Sequence, residues 1–510
     1  MIAGGQAGRP VGSNGRNRER PVAVLDIGSN SVRLVVYEHH GRTLTPLFNE
    51  KASCALGRGV AKTGRIAEKN AGLALKAIAR FGLVTRLMEV EDVYVLATSA
   101  VRESENGAAF MEQVAQLMER KGQILSGAQE AHFAARGIVS GMPDFVGLVG
   151  DLGGGSLEFS LVEQGRDIRG ETHPLGVIRL QDDSSLSPRQ AMKLAAKRLK
   201  KSRILQECTC DTFCAIGGTW RAFAALMQRR ADYPLHLVQG YEVRAADALD
   251  LAKLLVRKGE DVAGMSGVSR SRRPLLAYGA AVLCGVLEAM PFERVVFSSL
   301  GVREGYLFDL LPEREARLDP LICGSEEMCR LRARSVDHAR ELVAFTGAFF
   351  ETAGETESPA EIRLRTAACL LSDIGWRGHR DYRGEQSVDL VAYSALLGVS
   401  HGGRAFLAEV LAVRYMGLKH KSSSQDLNAL MGEESHFRAR TLGALIRLAY
   451  VLSGAMPGIL PRVRFDIRGE RIVMVLPGEL SFLDSVRLQS RLNQLARHLG
   501  REGQVRIAAH

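Results

Sequence analysis

The chain has no uninterrupted apolar run of the roughly 18 or more residues that a membrane-crossing helix needs, so no membrane span is expected. Its first 20 residues lack the apolar core of a secretion signal. They are Gly-rich, set Arg9, Arg16, Arg18 and Arg20 against one glutamate, and are expected to form a disordered basic tail. There are eight cysteines, and the closest group, Cys208, Cys210 and Cys214 in CTCDTFC, lacks zinc-site spacing and has no second Cys or His pair to complete it. Ordinary reduced thiols in a cytoplasmic protein are the expectation. No nucleic-acid reader motif accompanies the net charge of +10, so no nucleic-acid partner is expected. The positive excess suits some other polyanion, although a mildly basic surface also occurs without one. The rest of the composition is that of a globular protein: 46% hydrophobic residues in a 510-residue chain, long enough for several domains of roughly 100–200 residues each.

The stretch 146–162, VGLVGDLGGGSLEFSLV, organises what is there. Two apolar, strand-like runs flank Asp151-Leu-Gly-Gly-Gly-Ser156. Gly153, Gly154 and Gly155 carry no Cβ, so backbone N–H groups can approach an oxyanion there. Asp151 at the end of the first run, with Glu158 on the second, offers the oxygen ligands that Mg2+ prefers. Alone, the segment fits a tight β-hairpin turn as well. But residues 22–37, VAVLDIGSNSVRLVVY, repeat it, with Asp26-Ile-Gly28-Ser29-Asn30-Ser31 between two apolar runs. Both loops read Asp-x-Gly-x-x-Ser, which makes two copies of one supersecondary unit. Two such domains facing a cleft would grip a phosphate from both sides.

Other candidates sit where strands end. The strand 93–97 leads to Arg102, at the kind of edge where open α/β sheets place ligands. Its guanidinium suits a phosphate oxygen, and equally a salt bridge with Glu103 or another neighbour. Glu130 falls in the first turn of a helix opened by Gly127; it either complements the helix dipole or acts as a general base toward water. Gly217 and Gly218 end a buried strand and enter a helix, a further source of phosphate-binding amides. Lys193, Lys197 and Arg198, on a helix started by Ser187-Pro188, join Arg270 and Arg273 as a weak polyanion track, the alternative being a solvated charged face. Residues 317–456 read as almost wholly helical, and 461–510 as strand, strand, helix, strand.

VLDIGSNSVRL, ATSAVRES, LSGAQEA, GDLGGGSLEFS, AIGGTWRA and SSLGVREG occur in this order between residues 22 and 311. With these stretches the chain resembles the exopolyphosphatase and guanosine pentaphosphate phosphohydrolase family, within the actin, sugar-kinase and heat-shock-chaperone ATPase superfamily. The resemblance implies two actin-like (ribonuclease H-like) α/β domains facing a cleft, 21–143 and 144–314. An all-helical HD-like domain, 315–456, and a small α/β domain, 457–510, would follow. It implies Glu130 as general base, Asp151 and Glu158 at the metal, Gly153 to Ser156 and Asp26 with Gly28 to Ser31 as the two phosphate loops, and Arg102 facing the phosphate. Two departures stand out: Gln129 where the family commonly has an acid, and Leu157 where it commonly has threonine. In the helical part, Ser372-Asp373 stands where the HD fold has its His-Asp metal pair, so no second metal centre is expected even though His338 matches the first histidine.

The function implied is Mg2+-dependent hydrolysis of the terminal phosphoanhydride of inorganic polyphosphate. Release of the 5′ γ-phosphate of pppGpp is the nearest rival. A non-catalytic alarmone or nucleotide sensor is a rival of another class, and a sugar kinase is disfavoured because no acceptor site is visible. A homodimer is implied by the resemblance alone.

Overall fold

The computed structural model describes residues 20–508, so the expected basic tail lies outside the described residues except for Arg20. The first sheet is built from β1 (Val22–Ile27), β2 (Ser31–Tyr37), β3 (Pro46–Ser53), β4 (Asp92–Ala97) and β5 (Gln123–Ile124), in the order β3-β2-β1-β4-β5. The second has β6 (Gly147–Leu152), β7 (Leu157–Glu163), β8 (Arg166–His173), β9 (Thr212–Ile216), β10 (Tyr241–Arg244) and β11 (Arg294–Phe297), in the order β10-β11-β9-β6-β7-β8. Reading β8-β7-β6-β9-β11 against β3-β2-β1-β4-β5 gives the same antiparallel hairpins and the same parallel inner strands, with β10 as an added edge.

The repeat follows from the sequence. β1 and β6 are central and buried on both faces, so they read as continuous apolar runs. Their aspartates, Asp26 and Asp151, interrupt those runs one residue before each strand ends. The edge strand β8, RDIRGETH, alternates exposed and half-buried residues, and its polar composition gives no such signal.

Between the sheets lie the helices Gly127–Gly141 and Val302–Asp309. Leu307 packs with Val22, Val24, Val35 and Leu96 of the first sheet, while Phe308 packs with Val149 and Ile216 of the second and with Ile138 of the neighbouring helix. These helices touch backbone to backbone. A Cβ on Gly305 would collide with the Phe133 carbonyl, and one on Gly137 with that of Gly301. Glycine at these positions is a packing requirement.

The helices between residues 320 and 453 and the sheet β12 (Arg464–Arg468), β13 (Arg471–Leu476), β14 (Glu502–Ile507) share one hydrophobic core running from Leu321 to Ala496. At its polar centre Asp373 accepts from Arg334 Nη2 at 2.7 Å and Nε at 2.8 Å, and Arg414 adds a contact at 3.4 Å. Arg414 lies 3.6 Å from the Tyr450 ring centroid. His338 bonds Ser453 Oγ at 2.7 Å, and burial drives its imidazole down to about 4, so it is neutral at physiological pH. His401 ties this part to the second α/β domain through the Tyr233 hydroxyl at 2.9 Å and the Gln239 carbonyl at 3.0 Å.

Candidate active site

The two hairpin loops are built alike. Gly28 N–H donates to Ser31 O at 3.0 Å, and Gly153 N–H donates to Ser156 O at 3.0 Å. Each bond closes a turn that leaves the strand-end aspartate beside it. The loops also meet. Ser29 Oγ lies 2.9 Å from Ser99 Oγ; a Cβ on Gly155 would stand 2.5 Å from Ser99 Oγ, and one on Gly154 2.9 Å from Ser29 Cβ. The Asn30 carbonyl is held by Cys54 and Ala55 N–H groups, which fixes the first loop to the following segment.

Glu130 sits 6% exposed in the first turn of its helix. Ser126 Oγ accepts from Gln129 N–H at 3.2 Å and Gln129 Oε1 accepts from Ser126 N–H at 2.9 Å, a reciprocal cap. Gln129, one of the two departures from the family pattern, therefore works at the helix start that positions Glu130. Arg102 donates to Glu130 Oε1 and, at 2.6 Å, to the Leu125 carbonyl. The partner open to Arg102 in the sequence is thus Glu130; Glu103 pairs with Arg179. Burial raises Glu130 to about 7 despite Arg102, with Asp151 and Asp26 pushing the same way.

Asp151 lies directly opposite Glu158 in the β6–β7 register. Burial raises Asp151 to about 6 against the pull of Arg221. Glu158 is 3% exposed and is pushed well above the ordinary carboxyl range by burial and then by Glu130, while a bond to Ser156 pulls it down. Its Oε1 is buried without a hydrogen-bond partner. Asp151, raised by burial and by Asp26, and Glu158, raised by burial, Glu130 and Asp151 and left with an orphaned oxygen, together offer a divalent cation the carboxylate oxygens it prefers. Leu157, the other departure, is fully buried in the core of the second domain.

Asp26 faces another partner, accepting from Arg303 Nη1 at 2.8 Å. Arg303 neighbours Glu304, which accepts from the Tyr37 hydroxyl at 2.9 Å and caps its own helix through Gly301 N–H at 3.0 Å. Gly217 has φ 97° and sits where a Cβ would stand 3.1 Å from Asp151 Oδ1, and Gly218 packs under the Arg272 guanidinium. From there a cleft of about 500 Å³ opens, lined by Arg33, Lys51, Arg221 and Arg272. Burial and then Arg272, Arg221 and Arg33 lower Lys51 to about 8; Arg221 is lowered to about 10 by burial, Arg303, Arg33 and Arg272.

The residues of the expected track lie apart from this cleft. The Arg198 guanidinium is taken by Asp183 at 2.6 Å and the Pro174 carbonyl at 2.6 Å. Arg273 is bound to its own loop through the carbonyls of Val268 at 2.8 Å and Ser266 at 3.0 Å. Lys193, Lys197 and Arg270 are exposed, and none of them lines the cleft. The cations that converge come from four separate elements, and sequence adjacency carries no trace of that. One signal existed: Arg33 stands opposite Asp26 across the first hairpin.

Residues 35–314 match the Ppx/GppA phosphatase family, and residues 321–505 match a second family described as exopolyphosphatase, C-terminal. Exopolyphosphatase 1 of Mycobacterium tuberculosis (strain H37Rv) is 29% identical over 331 residues, covering 61% of this chain and 94% of that protein. The guanosine-5'-triphosphate,3'-diphosphate pyrophosphatase of Vibrio parahaemolyticus is 22% identical over 479 residues, 89% of this chain and 91% of that one. The crystal structure of an exopolyphosphatase from Cytophaga hutchinsonii superimposes with a TM-score of 0.52 at 22% identity, over 57% of this chain and 97% of that one, a likeness of fold. Matched over more than half its length, the chain belongs to the Ppx/GppA phosphatase family.

Proposed function

We propose that this chain is a phosphoanhydride hydrolase that releases orthophosphate from the end of inorganic polyphosphate. The observation that carries the choice of substrate is the row of four cations, Arg33, Lys51, Arg221 and Arg272, beside the glycine turn and Asp151. Among the described residues none of the four has an ion-pair partner, and neighbouring cations of the group help lower Lys51, Arg221 and Arg272; a long polyanion laid along them removes that cost. The N–H groups of the 28–31 and 153–156 loops orient the terminal phosphoryl group between the domains. Arg102 holds Glu130 in place and faces the same group. Glu130 takes the proton from the attacking water. Asp151 and Glu158 hold Mg2+, which when bound neutralises charge on the phosphate oxygens. Positioning and charge neutralisation are the main demands of phosphoryl transfer to water.

The same reading assigns the remaining parts. The two α/β domains span 21–143 and 144–314. The helical section 315–456 is HD-like with Arg414 and Arg334 on Asp373 in place of a metal, and serves as structural support or as a wall of the polyphosphate channel; 457–510 is a small α/β domain. A homodimer in the cytoplasm, with no nucleic-acid partner, completes it. Among the described residues no helix is long and apolar enough to cross a membrane.

Hydrolysis of pppGpp is the second reading, favoured by the 22% likeness to the Vibrio enzyme over 89% of this chain. Side-by-side kcat/KM on long-chain polyphosphate and on pppGpp decides between them: a higher value on polyphosphate supports the proposal and the reverse overturns it. Arg272→Ala is expected to raise KM for long polyphosphate about tenfold, the worth of roughly 1.4 kcal/mol, with a smaller effect on kcat. An unchanged KM would remove Arg272 from the track.

The pH dependence follows from Glu130. A general base must be ionised, and burial pushes this one up to about 7. kcat/KM should therefore fall about tenfold per pH unit on the acid side, and the break should lie lower at saturating Mg2+, because the cation favours the carboxylate. A profile flat between pH 5 and pH 8 at limiting Mg2+, or a break that does not move as Mg2+ is raised, would contradict the assignment.

A further inference from the structure

The mechanism leaves two thiols unused at the entrance to β9. Cys208 closes the short helix Arg203–Glu207, and Cys210 follows before the strand begins. Both are half-buried, Thr209 between them is exposed, and the two Sγ atoms stand 2.8 Å apart. A disulfide bond is about 2.05 Å long, so less than about 1 Å of movement separates the pair from a bond. A shared zinc ion fits less well. Two thiolates at about 2.3 Å from a tetrahedral metal stand roughly 3.8 Å apart, and among the described residues no metal-ligand cluster includes either cysteine. The other thiols are placed differently: Cys54, Cys214, Cys284, Cys329 and Cys369 are buried, and Cys323 is half-buried in the C-terminal part.

We propose that Cys208 and Cys210 form a reversible dithiol–disulfide pair, oxidised by low-molecular-weight disulfides. In the first step the Cys208 thiolate attacks one sulfur of the oxidant, forming a mixed disulfide and expelling the other half as a thiolate. In the second, Cys210 loses its proton and its sulfur displaces the remaining half, closing the Cys208–Cys210 bond. The protein gives up two electrons and two protons, and the oxidant disulfide is reduced to two thiols. Burial and then the hydrogen bond to Cys208 push the Cys210 thiol up to about 12, so Cys210 keeps its proton until Cys208 has reacted. The pair lies just before β9, and Gly217 follows that strand's far end.

The test is intact-mass measurement of the reduced, full-length native protein after incubation with excess glutathione disulfide. The expected result is a loss of two hydrogen atoms, mapped to the peptide that contains both cysteines and reversed by dithiothreitol. Cys208→Ser and Cys210→Ser should each stop at one bound glutathione or none. An unchanged mass, a bond to any other cysteine, or the same loss in the double variant Cys208→Ser/Cys210→Ser overturns the proposal. Peptide mapping of the wild type decides the matter even if a serine variant folds poorly.

Discussion

Glu130→Gln is expected to lower phosphate release by about 10²–10⁴-fold while the protein stays folded, the usual worth of a positioned general base. Glutamine keeps the shape, and its carbonyl oxygen can still accept from Arg102. The Ser126–Gln129 cap that starts the helix is untouched. What disappears is a group that can hold water's proton. The competing account, in which Glu130 only complements the helix dipole, predicts the opposite pattern: a small loss of stability and near-normal turnover. Thermal unfolding and phosphate release measured on the same preparation separate the two.

Glu158→Gln should lower turnover by about 10²-fold or more, since about 2.7 kcal/mol or more of charge stabilisation goes with a misplaced cation. It should also make the metal-free protein more stable at neutral pH. The sign follows from linkage. The folded-state pKa of Glu158 is raised above its ordinary value, so near neutrality the unfolded chain releases a proton that the folded chain keeps, and this favours unfolding. Glutamine has no such term. The stability gain should be present at pH 7 and vanish once the pH falls below the ordinary carboxyl range. Adding Mg2+ should stabilise the wild type more than the variant. A variant that is less stable than wild type at pH 7 and still responds fully to Mg2+ would contradict the placement of Glu158 at the cation.

Much of this site is legible in the chain because hairpin loops are local. The two Asp-x-Gly-x-x-Ser segments, the glycine turn 217–218 and the acids Glu130, Asp151 and Glu158 all lie in contiguous stretches, and the structure brings them together. Convergence from distant elements is not legible. Arg33, Lys51, Arg221 and Arg272 come from two strands, a helix and the residue before another helix; Arg272 is adjacent to Arg273, which points back to its own loop. Nothing in the local sequence tells those two arginines apart. Edge strands hide for a related reason. β8 and β10 bury little apolar surface, so they lack the runs that reveal β1 and β6. The shared core of the C-terminal helices and the β12–β14 sheet is a long-range fact as well, visible only when Leu321 and Ala496 are found in one cluster.

The most direct test of the account is phosphate release from long-chain polyphosphate in ¹⁸O-labelled water, with Mg2+ and then with EDTA. Attack by water on the terminal phosphorus, activated by Glu130, predicts Mg2+-dependent orthophosphate carrying one solvent oxygen, and none in EDTA. Tight polyphosphate binding with no release, or released phosphate free of solvent oxygen, would contradict it.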